Sequence, residues 1–313
     1  MCRGGLITRP YNAINPFFCH IERNQIASKP YFFNFYLVNS KIIHIFVSPI
    51  LTCQLFRMKE KLRILSFLAI LFATKICVAQ ESEFFTVRGV PFEMVFVEGG
   101  SFMMGCDTLI ENCPKDELPM HEVTLSNFYI GKIQVTQLLW RTVMGSNPSK
   151  LAGDHLPVNM VSWSDCQIFI KRLNELTGRQ FSLPTEAQWE YAARGGNKSK
   201  NYKYSGGNTL DNIAWYSQNS GKRPRRGADK APNELGIHDM TGNVWEWCND
   251  WYSPNYYNFS ADEDPSGFAV GTERVFRGGS YRNSPQLSRV TYRNYQKPDR
   301  RYSDLGFRLV LNP

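Results

Sequence analysis

The sequence predicts an α+β domain rich in structured loops, and three observations carry that reading. Three helical patterns end in capping signals, short β-prone runs lie between and after them, and glycine, proline and aromatic residues are scattered without an internal repeat or a long linker. The first helix is Thr136 to Met144 (TQLLWRTVM), stopped by Gly145. The second, Ser164 to Thr177 (SDCQIFIKRLNELT), opens on a serine cap and places Ile168, Leu173 and Leu176 at helical spacing before Gly178. The third, Thr185 to Arg194 (TEAQWEYAAR), follows Pro184, carries a Thr-x-x-Gln capping box and stops at Gly195-Gly196. Strand-prone runs are Glu122–Leu125, Arg274–Arg277 and Phe307–Leu311.

Charge divides the 313-residue chain unevenly. Residues 1–57 hold six Lys/Arg against one acid, residues 58–79 four against one, and residues 80–313 26 of each sign. The excess of +8 therefore belongs to the leader, and nucleic acid is excluded as a partner of the remainder. From Met58 the chain reads as a secretory signal peptide. Lys59, Lys61 and Arg63 precede an apolar run from Ile64 to Thr74, and Cys77-Val78-Ala79 offers small residues for cleavage before Gln80. The apolar run is too short to span a bilayer. A lipid anchor on Cys77 is the rival, but Thr74-Lys75-Ile76 lacks the small residues that would go with it. The expected organisation is an over-extended reading frame over 1–57 with no fold, a signal peptide over 58–79, and one exported domain over 80–313 with no transmembrane segment, destined for periplasm, cell surface or outside.

Cysteine usage suits export. Beyond Cys2, Cys19, Cys53 and Cys77, four remain. Cys106 and Cys113 bracket a short polar loop, which points to a disulfide; a metal clip is the alternative, and neither a His nor a second Cys pair lies nearby. Cys166 and Cys248 read as buried thiols.

Six segments in order resemble one family: FVEGGSFMMG (96–105), HEVTLSNFYIGKIQVT (121–136), LPVNMVSWSDCQIF (156–169), LPTEAQWEYAARGG (183–196), ELGIHDMTGNVWEW (234–247), and RVFRGGSY with LGFRLV (274–310). They resemble the formylglycine-generating, or sulfatase-modifying factor, family. The resemblance implies a single loop-rich domain related to the C-type lectin fold. The family's oxidases convert a protein cysteine to formylglycine with copper held by two cysteines, one two residues beyond a Gly-Gly-Ser-Tyr and the other five later. Here those positions are Asn283 and Ser288, and no cysteine follows Cys248. Amide and hydroxyl oxygens do not replace soft thiolates, so copper is not expected. His121, His155 and His238 stand apart as lone histidines, which argues against iron.

The same resemblance implies calcium at Asp239, Gly242, Val244 and Glu246, where carboxylates and inward carbonyls alternate in one tight loop. Asn212 and Ile213 match the start of a second calcium site, with Asn219 a candidate for its later ligand. The competing reading is that Asp239 and Glu246 cap turns or pair with arginines. Either calcium role is structural. Trp247 and Trp251 are expected in the core, whereas Trp245 matches a residue near the family's substrate groove.

The stretch after Ser280 reads as a binding surface. Tyr281, Tyr292, Tyr295 and Tyr302 supply rigid contact area; Asn283, Ser284, Ser288 and Asn294 supply adaptable hydrogen bonds; Arg282, Arg289, Arg293, Arg300 and Arg301 supply charge. Some of these brace the fold, Arg293 and Arg308 among them, and Asn283 to Ser288 are expected to be most exposed. Three functions follow. The first is an exported, catalytically silent module that binds a peptide, glycan or surface protein. The second is a residual oxidase acting on a protein cysteine. The third is a ligand-binding protein diversified by a retroelement.

Overall fold

A computed structural model describes residues 81–313, apart from residue 110, together with one strand pair nearer the N-terminus. That pair, β1 (Phe32–Tyr36) and β2 (Ile42–Phe46), is antiparallel with Phe32 opposite Phe46, within the stretch where the sequence predicts no fold. The expected signal peptide over 58–79 lies outside the described residues.

The second unit, Val78–Pro313, holds everything else described. Strands β3 (Ser82–Val87) and β4 (Val90–Val97) form a hairpin, β5 (Gly100–Met104) pairs with β6 (His121–Leu125), and β7 (Phe128–Gly131) returns to β4. Helices α1 (Gln137–Met144), α2 (Trp163–Thr177) and α3 (Glu186–Arg194) follow, with β8 (Phe181–Ser182) between the last two and a single turn, α4 (Leu210–Ile213), after them. The C-terminal part supplies β9 (Trp245–Trp251), β10 (Arg274–Arg277), β11 (Asn294–Gln296), β12 (Leu305–Gly306) and β13 (Val310–Leu311). One sheet runs β3-β4-β7-β13-β8 and another β11-β10-β9-β12.

The three helices lie where the sequence places them, with one cap moved. Helix α2 is capped by Ser162, not Ser164. The Ser162 hydroxyl accepts from the Asp165 N–H, and the Asp165 carboxylate accepts from the Ser162 N–H in return. The apolar face is also rotated from expectation. Cys166, Phe169, Ile170 and Leu173 are buried, while Ile168 and Leu176 are 47% and 41% exposed. Phe169 turns inward because it stacks on Trp140 of α1, ring centres 5.1 Å apart, with Phe307 edge-on at 5.4 Å. The expected strand Phe307–Leu311 shortens to Val310–Leu311, and the residues just before it leave the ladder: Arg308, fully buried, turns to Glu246 on the strand that pairs with Gly306.

That pairing is one of four. Arg277 meets Glu190, Arg293 grips Glu186 at 2.7 and 2.8 Å, Arg289 grips Glu117 with two bonds of 2.7 Å, and Arg308 grips Glu246 at 2.5 and 2.7 Å. Each side chain is under 9% exposed. Buried charges survive only when paired and hydrogen-bonded. Helix α3 is consequently buried on every face yet keeps two glutamates, because the C-terminal segment supplies their cations.

Candidate functional site

Two places gather the residues singled out by the sequence. The first is a cleft of about 250 Å³ at the end of the four-stranded sheet. Parallel pairing sets Leu305 beside Trp245, and Phe276 of β10 meets the Trp245 ring edge-on at 5.3 Å; these three side chains form its apolar floor. Trp245 is only 4% exposed, so it is a floor and not a rim. Trp247 is fully buried in the core, and Trp251 is half-buried beneath the Arg274 guanidinium.

The rim is polar. Tyr295 and Tyr302 are 40% and 41% exposed, Gln296 Nε2 donates to the Tyr302 hydroxyl at 2.8 Å, and Asn294 and Asp304 complete the wall. Tyr295 stacks on Tyr252 at 3.7 Å, which fixes its ring. Asp304 ties the cleft to the Gly-Gly-Ser-Tyr turn: its backbone oxygen accepts from the Trp245 N–H, and its Oδ2 lies 2.8 Å from the buried Ser280 hydroxyl. The same hydroxyl is 2.5 Å from the Asn283 amide. A hydroxyl has one proton, so it donates either to the Asp304 carboxylate or to the Asn283 Oδ1, and it accepts from the Arg282 N–H at 3.2 Å.

Several expected surface residues turn out to be framework. Ser288 is fully buried, packed so tightly on Gly279 (φ +75°) that a Cβ there would sit 2.5 Å from the Ser288 Oγ. The expectation that Asn283 to Ser288 are the most exposed residues is therefore corrected: Arg282, Ser284 and Gln286 face solvent, Asn283 is half-buried and Ser288 is inside. Tyr281 is 3% exposed, its hydroxyl donating to the Ser303 carbonyl. Tyr292 is half-buried against Trp245, and Arg293 and Arg289 belong to the ion pairs above. Arg301 pairs with Asp165, a carboxylate held below its usual range by the Arg301 and Ser162 bonds that outweigh its partial burial. Cys106 and Cys113 form a disulfide; the two free thiols among the described residues, Cys166 and Cys248, are fully buried, and burial pushes both well above the usual thiol range.

The second place is a ring of oxygens in the loop before β9. The carbonyls of Asp239, Gly242 and Val244 and the Glu246 Oε1 all face one atom, the Gln134 Nε2, at 3.2, 3.4, 2.8 and 2.9 Å. Positive φ at Asp239 (+57°), Gly242 (+83°) and Asn243 (+60°) turns these carbonyls inward, and a Cβ on Gly242 would sit 2.3 Å from the Trp215 carbonyl. All-oxygen ligation of this kind suits a hard cation. The competing pairing is also present: Glu246 accepts from Arg308 and, at 2.7 Å, from the Trp189 indole. Asp239 accepts from the Ala228 N–H through Oδ2, leaves Oδ1 buried without a partner, and is pushed up to about 6, chiefly by burial.

Asn212, Ile213 and Asn219 do not converge in the same way. The Asn212 carbonyl accepts from Ala231, Ile213 is buried, and the Asn219 amide is engaged with Tyr216 and Ala214. The histidines of the described domain are local braces or exposed: His121 and His238 bond the Pro119 and Lys230 carbonyls through Nδ1, burial lowers the pKa of His238, and His155 faces solvent. Sequence reasoning missed Asp304 and Gln134. Asp304 carried no motif; Gln134 was legible as the one polar side chain between apolar neighbours in KIQV.

The sulfatase-modifying factor enzyme 1-like domain matches residues 84–313. The chaperone protein LppX of Paenibacillus barcinonensis is 33% identical over 269 residues, covering 70% of this chain and 89% of that protein. The formylglycine-generating enzyme of Streptomyces coelicolor is 36% identical over 196 residues, 56% of this chain and 59% of the enzyme, so under two thirds of its length is spanned. Among solved structures, Treponema denticola variable protein 1 superposes with a TM-score of 0.68 at 33% identity, covering 74% of this chain and 99% of that one.

Proposed function

The chain belongs to the sulfatase-modifying factor enzyme 1-like family, and on that premise we propose that it is an exported binding module for a peptide, glycan or surface protein, without the family's oxidase chemistry. One observation carries the proposal. The cleft beside Trp245 presents aromatic rings, amides, hydroxyls and one carboxylate, while both free thiols of the described domain are sealed in the core. Copper chelated by a cysteine pair has no ligands there, since the family's positions carry Asn283 and Ser288. Rigid tyrosines with adaptable amides are what recognition surfaces use. Export is supported by the Cys106–Cys113 disulfide, which suits an oxidising compartment. Among the described residues no helix is long and apolar enough to cross a membrane.

Calcium belongs to the proposal as a structural ion. Asp239, Gly242, Val244 and Glu246 are the residues that would hold it, and its charge would bind the loop before β9 to the strand that floors the cleft. The test of the binding reading is a peptide and glycan array probed with the full chain and with a Tyr295→Ala/Tyr302→Ala variant of equal thermal stability. Binding by the parent that falls at least tenfold in the variant supports the cleft; hits unaffected by the variant overturn it.

A second reading keeps one specific support, the likeness to a protein named as variable. Diversification by a retroelement predicts adenine-rich codons at Asn283, Asn294 and Tyr302 and a near-copy template downstream of the gene. Their absence would remove that reading.

A further inference from the structure

We propose that the cavity of about 370 Å³ between β4, β7 and the loop at Gly227 is a binding site for a single-chain carboxylate, its apolar tail against the sheet and its head on Arg226. The cavity shares no lining residue with the cleft beside Trp245. Its wall is largely apolar: Phe92 of β4, Ile133, Leu139 of α1 and Leu309 line it. Phe84, on the edge strand β3, belongs to the same lining and is 70% exposed. A large aromatic left in water beside an apolar cavity of this size is the usual form of a small-ligand site.

The charged groups decide the kind of ligand. Lys132 and Glu93 neutralise one another, the ammonium lying 2.9 and 3.1 Å from the two carboxylate oxygens. Arg226 and His155 also line the cavity, and among the described residues neither side chain has a carboxylate or hydrogen-bonding partner. The Gly227 N–H donates to the His155 carbonyl at 3.3 Å, which ties the arginine's loop to the histidine's. Asp154, the acid next to His155, is taken by Arg141 at 2.8 Å. The loop itself is cationic, with five Lys/Arg against Asp229 alone over residues 222–230. Arg225 and Lys230 are engaged, flanking the Trp215 ring and donating to the Ser220 and Asp211 carbonyls. Arg226 is therefore a cation beside an apolar cavity with no anion of the protein's own. Its guanidinium presents paired N–H groups to a carboxylate, so an anionic head gains what an alcohol or an ammonium of the same chain length does not.

Calorimetric titration of the full chain with octanoate, 1-octanol and octyltrimethylammonium tests the site, alongside the variants Arg226→Ala, Arg223→Ala and Phe84→Ser. All three replaced side chains are exposed, so the variants keep the fold. Arg223 stands in the same loop but does not line the cavity, and it controls for general attraction of anions. The proposal expects saturable binding of a single octanoate per chain and at least tenfold weaker binding of the other two ligands. It also expects at least a tenfold loss for octanoate in Arg226→Ala, a several-fold loss in Phe84→Ser and parent-like affinity in Arg223→Ala. No saturable binding of octanoate overturns the proposal, as do equal binding of 1-octanol or equal losses in the two arginine variants. Phosphatidylglycerol vesicles form the last arm. Vesicle binding that both arginine variants weaken alike, without octanoate binding, assigns the loop to a membrane surface and overturns the cavity site.

Discussion

Arg293 illustrates how individual charges are handled here. It is 3% exposed and makes a two-bond pair with Glu186 while donating to the Asp116 and Ser253 carbonyls, and those partners hold its charge against the cost of burial. Removing one member of such a pair strands the other, so Arg293→Ala should lose about 3–5 kcal/mol in urea unfolding. Arg282→Ala, on an exposed residue outside the cleft lining, should stay within about 0.5 kcal/mol. Asp250 lies beside Glu186. It accepts from the Glu186 N–H at 2.8 Å, but burial and the Glu186 charge push its carboxyl up to about 8 from 3.8. A raised carboxyl favours the folded state while protonated, so this contribution is full below about pH 4 and is lost as pH rises through 8. Asp250→Asn keeps an acceptor and cannot ionise. Its stability relative to the parent should therefore grow between pH 5 and pH 9, by on the order of 4 kcal/mol, as read from paired melts.

Helix α2 is the element where expectation and structure differ most instructively. The reciprocal bonds of Ser162 and Asp165 make Ser162→Ala a loss of about 1 kcal/mol, whereas Ser164→Ala, at the second residue of the helix, should be near neutral. Two serines flank Trp163, and only the return bond from Asp165 distinguishes them. The stop signals were easier: Gly145, Gly178 and Gly195 all take the left-handed conformation that a helix end asks for. Helices and the disulfide were legible because their determinants are local. The cleft was only partly legible, since Trp245 meets Leu305 across sixty residues of chain by a parallel pairing that no periodicity announces. Arg293 and Arg308 brace the fold as their positions in repeated motifs imply, whereas Arg289 misled for a related reason. An arginine in a polar stretch reads as surface, and nothing near Arg289 in the chain points to Glu117. The oxygen ring was readable on its own loop, but its central residue, Gln134, comes from another part of the chain.

At the scale of the molecule, the C-terminal segment acts as a clamp. Four arginines from β10 onward fasten it to α3, to the loop before β6 and to β9, and the cleft forms where that clamp crosses the sheet. The Cys106–Cys113 disulfide closes a short loop next to one of these fastenings, with Arg289 against the Cys106 sulfur. Loop closure of this size is worth about 2.5 kcal/mol, so the Cys106→Ser/Cys113→Ser pair should unfold at lower urea by that amount while keeping its cleft-dependent binding. The proposed replacement of oxidation by binding is open to direct measurement. The most direct measurement incubates the full chain with Cu(I), oxygen and a cysteine-containing sulfatase-motif peptide, and follows peptide mass beside a working oxidase. The account predicts no conversion of the peptide. Conversion at a rate within tenfold of the control would contradict it, because the chemistry would then proceed with Asn283 and Ser288 in the places of the copper-binding cysteines.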